Sequence, residues 1–302
     1  STGGLPLSEV LSLAVACNQI PPVSLRVNLL KLGGRKALIE ALAFEGVNAE
    51  FGKMSPWAVK LTEGRPEGGV WNLAAWKGGF FEVQDEGSQL IALSTQAGPG
   101  ETVIDYCAGN GGKTLAIAAM MKDQGEVVAH DINETRLAHL RGSMARAGVT
   151  CINTLNTSQL EARRDLYYNR TTGTGGADCV LVDAPCSSTG ALRRHPSLRW
   201  TLDPAEVANY PRLQKEILLN ASRMVGPEGG LVYATCAINR EENEEVADWF
   251  GQEDFERWPF RERGSERRAL LPHVHNTDGF FIARWRRRST SRTLRRGGAA
   301  GG

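Results

Sequence analysis

From residue 101 onward, short apolar runs alternate with longer segments whose apolar positions recur at helical spacing. "TVIDY" (102–106), "EVVAHD" (126–131), "TCINTLN" (150–156), "ADCVLVDAP" (177–185) and "GGLVYATC" (229–236) read as strands. Runs of this kind belong to a sheet covered on both faces. The spacing predicts helices over 113–122, over "NETRLAHLRGSMARAG" (133–148), over about 205–225 and from Glu241. In the second of these, Leu137, Leu140, Met144 and Ala147 share one face. "GFFIARW" (279–285) is a late strand. This alternation predicts a doubly wound, mostly parallel α/β sheet of Rossmann-like type, with ligands at the carboxyl ends of its strands.

The first hundred residues follow a different pattern. Leu7, Val10, Leu11, Leu13 and Ala14 suggest one helix, and Pro21-Pro22 punctuates it. "SLRVNLL", "NAEFGKM" and "WAVKLT" read as short strands around a helix over "GRKALIEALAFEG", with Leu38, Ala41 and Leu42 on one face and Gly46 as its stop. "GGFFEVQDEGSQLIALST" reads as strand, turn and helix. The expected organisation is therefore an N-terminal helical segment over 1–20, a small α+β module over 21–78, a main domain over 79–288 and a tail over 289–302. No internal repeat is visible. The chain opens on Ser, so no leader can be read there.

The 302 residues are 41% hydrophobic and 23% charged, which is ordinary globular composition with no apolar run long enough for a membrane span. Net charge is +1, but seven Arg and no acid fall within 284–296. Removing those seven takes the net from +1 to −6, so the basic character is local. That stretch is expected either to be an unstructured arginine tail or to meet a polyanion. The six cysteines form no C-x-x-C pair and need no disulfide framework, so a reducing compartment is expected. Cys17, Cys151 and Cys179 read as inert and buried.

Chemistry gathers at the strand ends. "DYCAGNGGKT" (105–114) looks like a phosphate loop, but Cys107 stands where the first glycine of G-x-x-x-x-G-K-[ST] belongs, and no Mg²⁺-site signature stands out. An NTPase with Asp183 as its metal-holding acid is the weaker alternative. A glycine loop opening a helix, with Asp131 twenty residues past Gly111, fits a nucleoside ligand whose ribose Asp131 would hold: a dinucleotide or S-adenosylmethionine. Asp131 could instead cap a helix together with Asn133.

Cys186 and Cys236 each end a predicted strand, so both thiols would face one crevice beside that ligand. Carbon 5 of a pyrimidine is a poor nucleophile. A thiolate added at carbon 6 makes an enamine whose carbon 5 can attack a sulfonium methyl, after which loss of the carbon-5 proton releases the thiolate. Asp183 could hydrogen-bond the cytosine ring edge, or be a structural strand-end carboxylate.

These residues resemble a known family. "DAPCSSTGALRRHPSLRW" (183–200), "LVYATCAINREENEEV" (231–246), "CAGNGGKT" (107–114), "FFEVQDEGSQL" (80–90) and "LRVNLLK" (25–31) look like the motifs of RNA (cytosine-5)-methyltransferases of the Sun/RsmB type, the bacterial-like ribosomal RNA 5-methylcytosine enzymes. The resemblance implies a class I S-adenosylmethionine-dependent methyltransferase fold, with Cys236 as nucleophile and Cys186 assisting release of the methylated RNA. Asp183 would contact the base and the cofactor, with Lys113 near both. Cys107, Ala108, Gly109, Asn110, Gly111, Gly112 and Lys113 would cradle S-adenosylmethionine, with Asp131 on its ribose and Asn156 toward the adenine. Arg193, Arg194, His195, Arg199 and Trp200 would lie near the RNA, unless they form a solvated loop. Asn110 and Asn156 depart from the family's usual Pro and Asp, and no N-terminal NusB-like domain is recognisable.

The resemblance implies RNA as partner, ribosomal RNA first, with no metal, no membrane and a monomer. It also implies a cytoplasmic location in a bacterium, or an organelle or nucleolus otherwise. Three other readings remain: a DNA enzyme attacking through the Pro-Cys thiol, a non-catalytic RNA-binding assembly factor, and a methyltransferase for proteins or small molecules.

Overall fold

The five buried runs form neighbouring strands because each must hide apolar residues on both faces. The computed structural model describes residues 6–167, 175–260, 265 and 267–289. In it β1 (Ser24–Val27), β2 (Ala49–Phe51), β3 (Ala58–Leu61) and β4 (Phe81–Val83) make one antiparallel sheet in the order β2-β3-β1-β4. A second sheet is built from β5 (Thr102–Asp105), β6 (Glu126–His130), β7 (Ile152–Leu155), β8 (Ala177–Asp183), β9 (Val225–Thr235), β10 (Phe255–Arg257), β11 (Arg267–Leu270) and β12 (Phe280–Arg287). Its order is β10-β12-β9-β8-β5-β6-β7, with β11 on β12. The strands from β5 to β9 pair in parallel, and β10, β11 and β12 are antiparallel additions. The chain leaves β5 toward β6 and β7, then returns to β8 on the other side, so a topological switch opens at the carboxyl ends of β5 and β8.

Period-two alternation sorts the core. Val103, Leu181, Val232 and Ala234 join one buried cluster with Leu115, Leu137 and Leu140. Ile104, Val180, Val182, Leu231 and Tyr233 join the opposite one with Leu218 and Val246. Leu25, Val27, Leu38, Leu42, Val59 and Phe81 form a separate core under the small sheet. Local signals set the ends. Asn133 caps the helix Glu134–Ala147 by accepting from the N–H groups of Thr135 and Arg136, and Gly148 closes it in the left-handed region.

Several expected boundaries move. Phe81–Val83 pairs with β1, so the small sheet reaches past the expected limit at residue 78; the partner of this strand lies more than fifty residues upstream. The expected helix over 205–225 is two helices, Pro204–Val207 and Tyr210–Ser222, each with a proline in its first turn. The helix expected from Glu241 begins at Glu244. The N-terminal helix Leu7–Cys17 forms, but Leu7 and Leu11 face outward. Its buried side is Ala16 and Cys17, with Val10 and Leu13 half-buried, and it packs on Pro272–His275. Of the basic stretch 284–296, Arg284 and Arg287 are buried. Arg284 donates to the carbonyl of Ser94 and stacks on Trp258 and Phe260, and Arg287 pairs with Asp254. Residues 290–302 of the expected tail lie outside the described residues. Among the described residues no helix is long and apolar enough to cross a membrane.

Asn28, at the end of β1, joins the two bodies. Its Nδ2 donates to the carbonyls of Gly79 (2.8 Å) and Ala147 (2.9 Å), and its Oδ1 accepts from the Leu30 N–H (3.0 Å). Replacing it by Ala leaves buried backbone groups short of partners, so Asn28→Ala should lose roughly 2–3 kcal/mol of stability in urea unfolding.

Candidate active site

Between β5 and the helix Gly112–Met120 the chain makes the glycine loop. Gly111 sits at φ +83°, and a Cβ there would stand 2.2 Å from Leu140 Cδ1, so only glycine lets the loop close against the neighbouring helix. No side chain caps the Gly112 helix, which leaves its first N–H groups facing the crevice. Asp131, at the end of β6, is buried; its Oδ2 accepts from the Gly109 N–H (2.8 Å) and its Oδ1 from the Asn133 N–H (2.8 Å). It therefore shapes the loop itself, and the cap of the following helix is Asn133. Ile132 beside it is 86% exposed and was not singled out from sequence, although an apolar residue following a strand-end acid was the available signal. Asn110 is exposed. Asn156 is engaged elsewhere: its Oδ1 accepts from Ser158 and the Gln159 N–H, and its Nδ2 donates to Glu134.

The structure brings Lys113, Asp183, Cys186 and Cys236 together. Lys113 Nζ donates to Asp183 Oδ2 at 2.6 Å. Burial would lower the lysine pKa, but the Asp183 carboxylate reverses this and holds it above its ordinary value. Cys186 Sγ and Cys236 Sγ are 3.3 Å apart, and Cys236 Sγ is 3.4 Å from Ser188 Oγ. The two thiols are shifted in opposite directions. The Cys186 thiol donates to Cys236, which pushes Cys186 well above the ordinary thiol range, with burial adding to the effect. Cys236 is lowered by that same hydrogen bond against burial, helped by the Ser188 hydroxyl. Of the two thiols, Cys236 is thus the one prepared to ionise. Cys107 is pushed well above the thiol range by burial and then by Asp105, Asp183 and Asp131, so it stays neutral. Burial likewise raises Cys17 and Cys179, and takes Cys151 up to about 12.

A polar clamp fixes the two cysteine turns. The fully buried Glu242 accepts from the Ser187 N–H (2.9 Å), Gln214 Nε2 (3.0 Å) and Asn239 Nδ2 (2.8 Å), and its own carbonyl accepts from the Tyr233 hydroxyl. Thr235 Oγ1 donates to Asn243 Oδ1 (2.5 Å), and Asn243 Nδ2 donates to the Ala237 carbonyl (3.0 Å). Residues 242–243 thus leave the helix that was expected to contain them. Gly190 N–H donates to the Cys236 carbonyl (2.8 Å), and a Cβ on Gly190 would meet the Gly279 carbonyl at 2.3 Å.

Of the arginines expected near RNA, Arg193 is buried, Arg194 is half-buried and Arg199 is exposed. Arg193 pairs with Asp278 (2.8 Å), and Arg194 pairs with both Asp278 and Asp85 (2.8 Å) while donating to the Pro22 carbonyl. Arg199 donates to Cys17 O (2.6 Å) and Asn18 Oδ1 (2.7 Å). Acids up to 109 positions away claim Arg193 and Arg194, which no local pattern reveals. His195 and Trp200, like Arg199, are exposed. Among the described residues no group of His, Cys, Asp or Glu could hold a metal ion.

The family described as 16S rRNA methyltransferase RsmB/F matches residues 91–286, and the RsmF/B-like ferredoxin-like domain matches residues 5–66. The chain is 36% identical over 284 residues to a probable ribosomal RNA small subunit methyltransferase B of Bacillus subtilis, covering 89% of this chain and 61% of that protein. It is also 36% identical over 312 residues to a human 28S rRNA (cytosine(4447)-C(5))-methyltransferase, covering 95% and 37%. The chain spans less than two thirds of the length of either relative. A methyltransferase homolog protein from Pyrococcus horikoshii superposes with a TM-score of 0.77 at 28% identity, over 92% of this chain and 90% of that one.

Asp105, beneath the glycine loop, accepts from the Thr114 hydroxyl at Oδ2 (2.7 Å), while its buried Oδ1 has no partner. Burial lifts its pKa to about 7. The folded chain therefore keeps a proton between about pH 4 and pH 7 that the unfolded chain releases, and this group's contribution to stability falls as pH rises through that window. Across a series of urea unfolding curves, Asp105→Asn should gain on the parent chain steadily from pH 4.5 to 7 and hold a constant difference above it.

Proposed function

We propose, because the chain belongs to the 16S rRNA methyltransferase RsmB/F family, that it methylates carbon 5 of a cytosine in RNA, with ribosomal RNA the first candidate. The observation that carries this is the pair of sulfurs 3.3 Å apart beside the glycine loop, with Cys236 lowered and Cys186 raised. S-adenosylmethionine, when bound, supplies an electrophilic methyl group. The chain fits it. The uncapped N–H groups at Gly112 and Lys113 suit its carboxylate, and the orphan Oδ1 of Asp105 is a buried acceptor under the same loop. Residues 107–112 would cradle it, with Asp131 on its ribose and the exposed Ile132 against its adenine. Asn156 reads as a helix cap with little left to offer the adenine.

The chemistry of the residues follows. The Cys236 thiolate adds to carbon 6 of the cytosine, and the ring's electron pair moves toward carbon 5 and N3. Asp183, held by Lys113, keeps partly exposed oxygens for the ring edge. After methylation, removal of the carbon-5 proton lets the carbon–sulfur bond break, and its electron pair returns to Cys236. Cys186, with its proton held at neutral pH, sits where it can assist that departure. A DNA-type reading would make Cys186 the nucleophile, and the direction of the two thiol shifts opposes it.

The test is incubation with labelled S-adenosylmethionine and ribosomal RNA, followed by mapping of 5-methylcytosine. Cys236→Ala should lose methylation by at least about a thousandfold. Cys186→Ala should accumulate a covalent RNA–protein adduct visible on denaturing gels. Full activity in Cys236→Ala would sink the mechanism, and loss of adduct formation in Cys186→Ala with turnover in Cys236→Ala would exchange the two roles.

A further inference from the structure

Ser188 follows the Pro-Cys turn and occupies the left-handed region, φ 57° and ψ 22°. Glycine adopts this conformation freely, and serine does so only against a steric penalty, so a side chain held there calls for a reason. The loop gives it no freedom to relax. Ser187 N–H is tied to Glu242, Thr189 Oγ1 accepts from the Ile238 N–H (3.1 Å) and donates to Asn239 (2.8 Å), and Gly190 N–H is tied to the Cys236 carbonyl. The neighbouring hydroxyls of Ser187 and Thr189 face each other at 3.2 Å. The Ser188 hydroxyl turns the other way, to 3.4 Å from Cys236 Sγ.

We propose that Ser188 is a catalytic residue whose hydroxyl donates to the Cys236 thiolate and aims it. The inference rests on the reading of Cys236 as nucleophile. A hydroxyl can accept from a thiol and rotate to donate once that thiol has ionised, so one side chain serves both forms. The charged and titratable groups facing Cys236 are few. Lys113 and Asp183 lie close enough to act on it with opposite signs, and they are paired with each other. Tyr210, from the helix Tyr210–Ser222, responds to both sulfurs. Among the described residues the hydrogen-bond partners of Cys236 Sγ are Cys186 Sγ and Ser188 Oγ. Cys186 must change its own position or protonation during release, which leaves Ser188 as the constant donor.

The experiment compares the full chain with Ser188→Gly and Ser188→Ala. Glycine relieves the left-handed conformation, so Ser188→Gly should melt no lower than the parent, which separates lost chemistry from lost folding. Alkylation of Cys236 by iodoacetamide, followed by peptide mass spectrometry across pH 5.5 to 9.5 without RNA or cofactor, should show a midpoint moved to higher pH in both variants. The rate at pH 7 should drop by about threefold or more. Methylation should lose kcat by a similar factor, recover as pH is raised, and keep the KM for RNA. An unshifted alkylation profile in both variants, or a shifted one with undiminished kcat at pH 7, would overturn the proposal. Because alkylation needs no turnover, its outcome is independent of whether Cys236→Ala abolishes methylation.

Discussion

The parallel register between β8 and β9 governs the rest of the site. Asp183 lies opposite Ala234, so the turns leaving the two strands run side by side and deliver two cysteines fifty positions apart to one point. A slip of one residue would turn Tyr233 and Val232 to the wrong faces of a sheet buried on both sides. The apolar core on either face therefore specifies the distance between two sulfurs, and Cys236 itself packs against one of those cores. The antiparallel addition of β12 along the other edge of β9 guards the same register, pairing Phe281 with Thr235 through to Arg286 with Gly230.

Beyond the strand ends, the backbone is irregular and its order comes from side chains. Glu242 is a buried carboxylate whose three partners are neutral donors, the Ser187 backbone N–H and the amides of Gln214 and Asn239. Taking such a group out of water is unfavourable unless its oxygens are fully engaged, so the arrangement tolerates one geometry and penalises neighbouring ones. The cysteine turns inherit that narrowness. Arg193, Arg194, Asp85 and Asp278 do the same for the base of the loop, as a compact set of two cations and two acids.

The main sheet was legible because strands buried on both faces write long apolar runs, and Cys186, Cys236, Asp183 and Asp131 were legible because they follow such runs directly. Charged residues misled. "REENEE" looks like a solvated run, yet it hides the clamp residue Glu242. "RRHPSLR" looks like a polyanion contact, yet Arg193 and Arg194 are committed to acids on other elements. Arg284 and Arg287 look like the start of a tail and are core. A charge in the sequence carries no mark of its partner when that partner sits scores of positions away. Phe81–Val83 was misassigned for a related reason, since a three-residue strand is defined by the strand it joins.

Among the ties that hold the small sheet and the N-terminal helix to the larger body are Asn28 to Ala147, Arg194 to Pro22 and Asp85, and Arg199 to Cys17. Two of them spring from the segment that begins with Cys186. A polymer resting on the small sheet would therefore meet a ruler in place of a hinge. The span from that surface to the sulfur pair is set by the protein, so a softer partner reaching both would have to bend to match it. Selection among targets would then lie in how easily each one deforms.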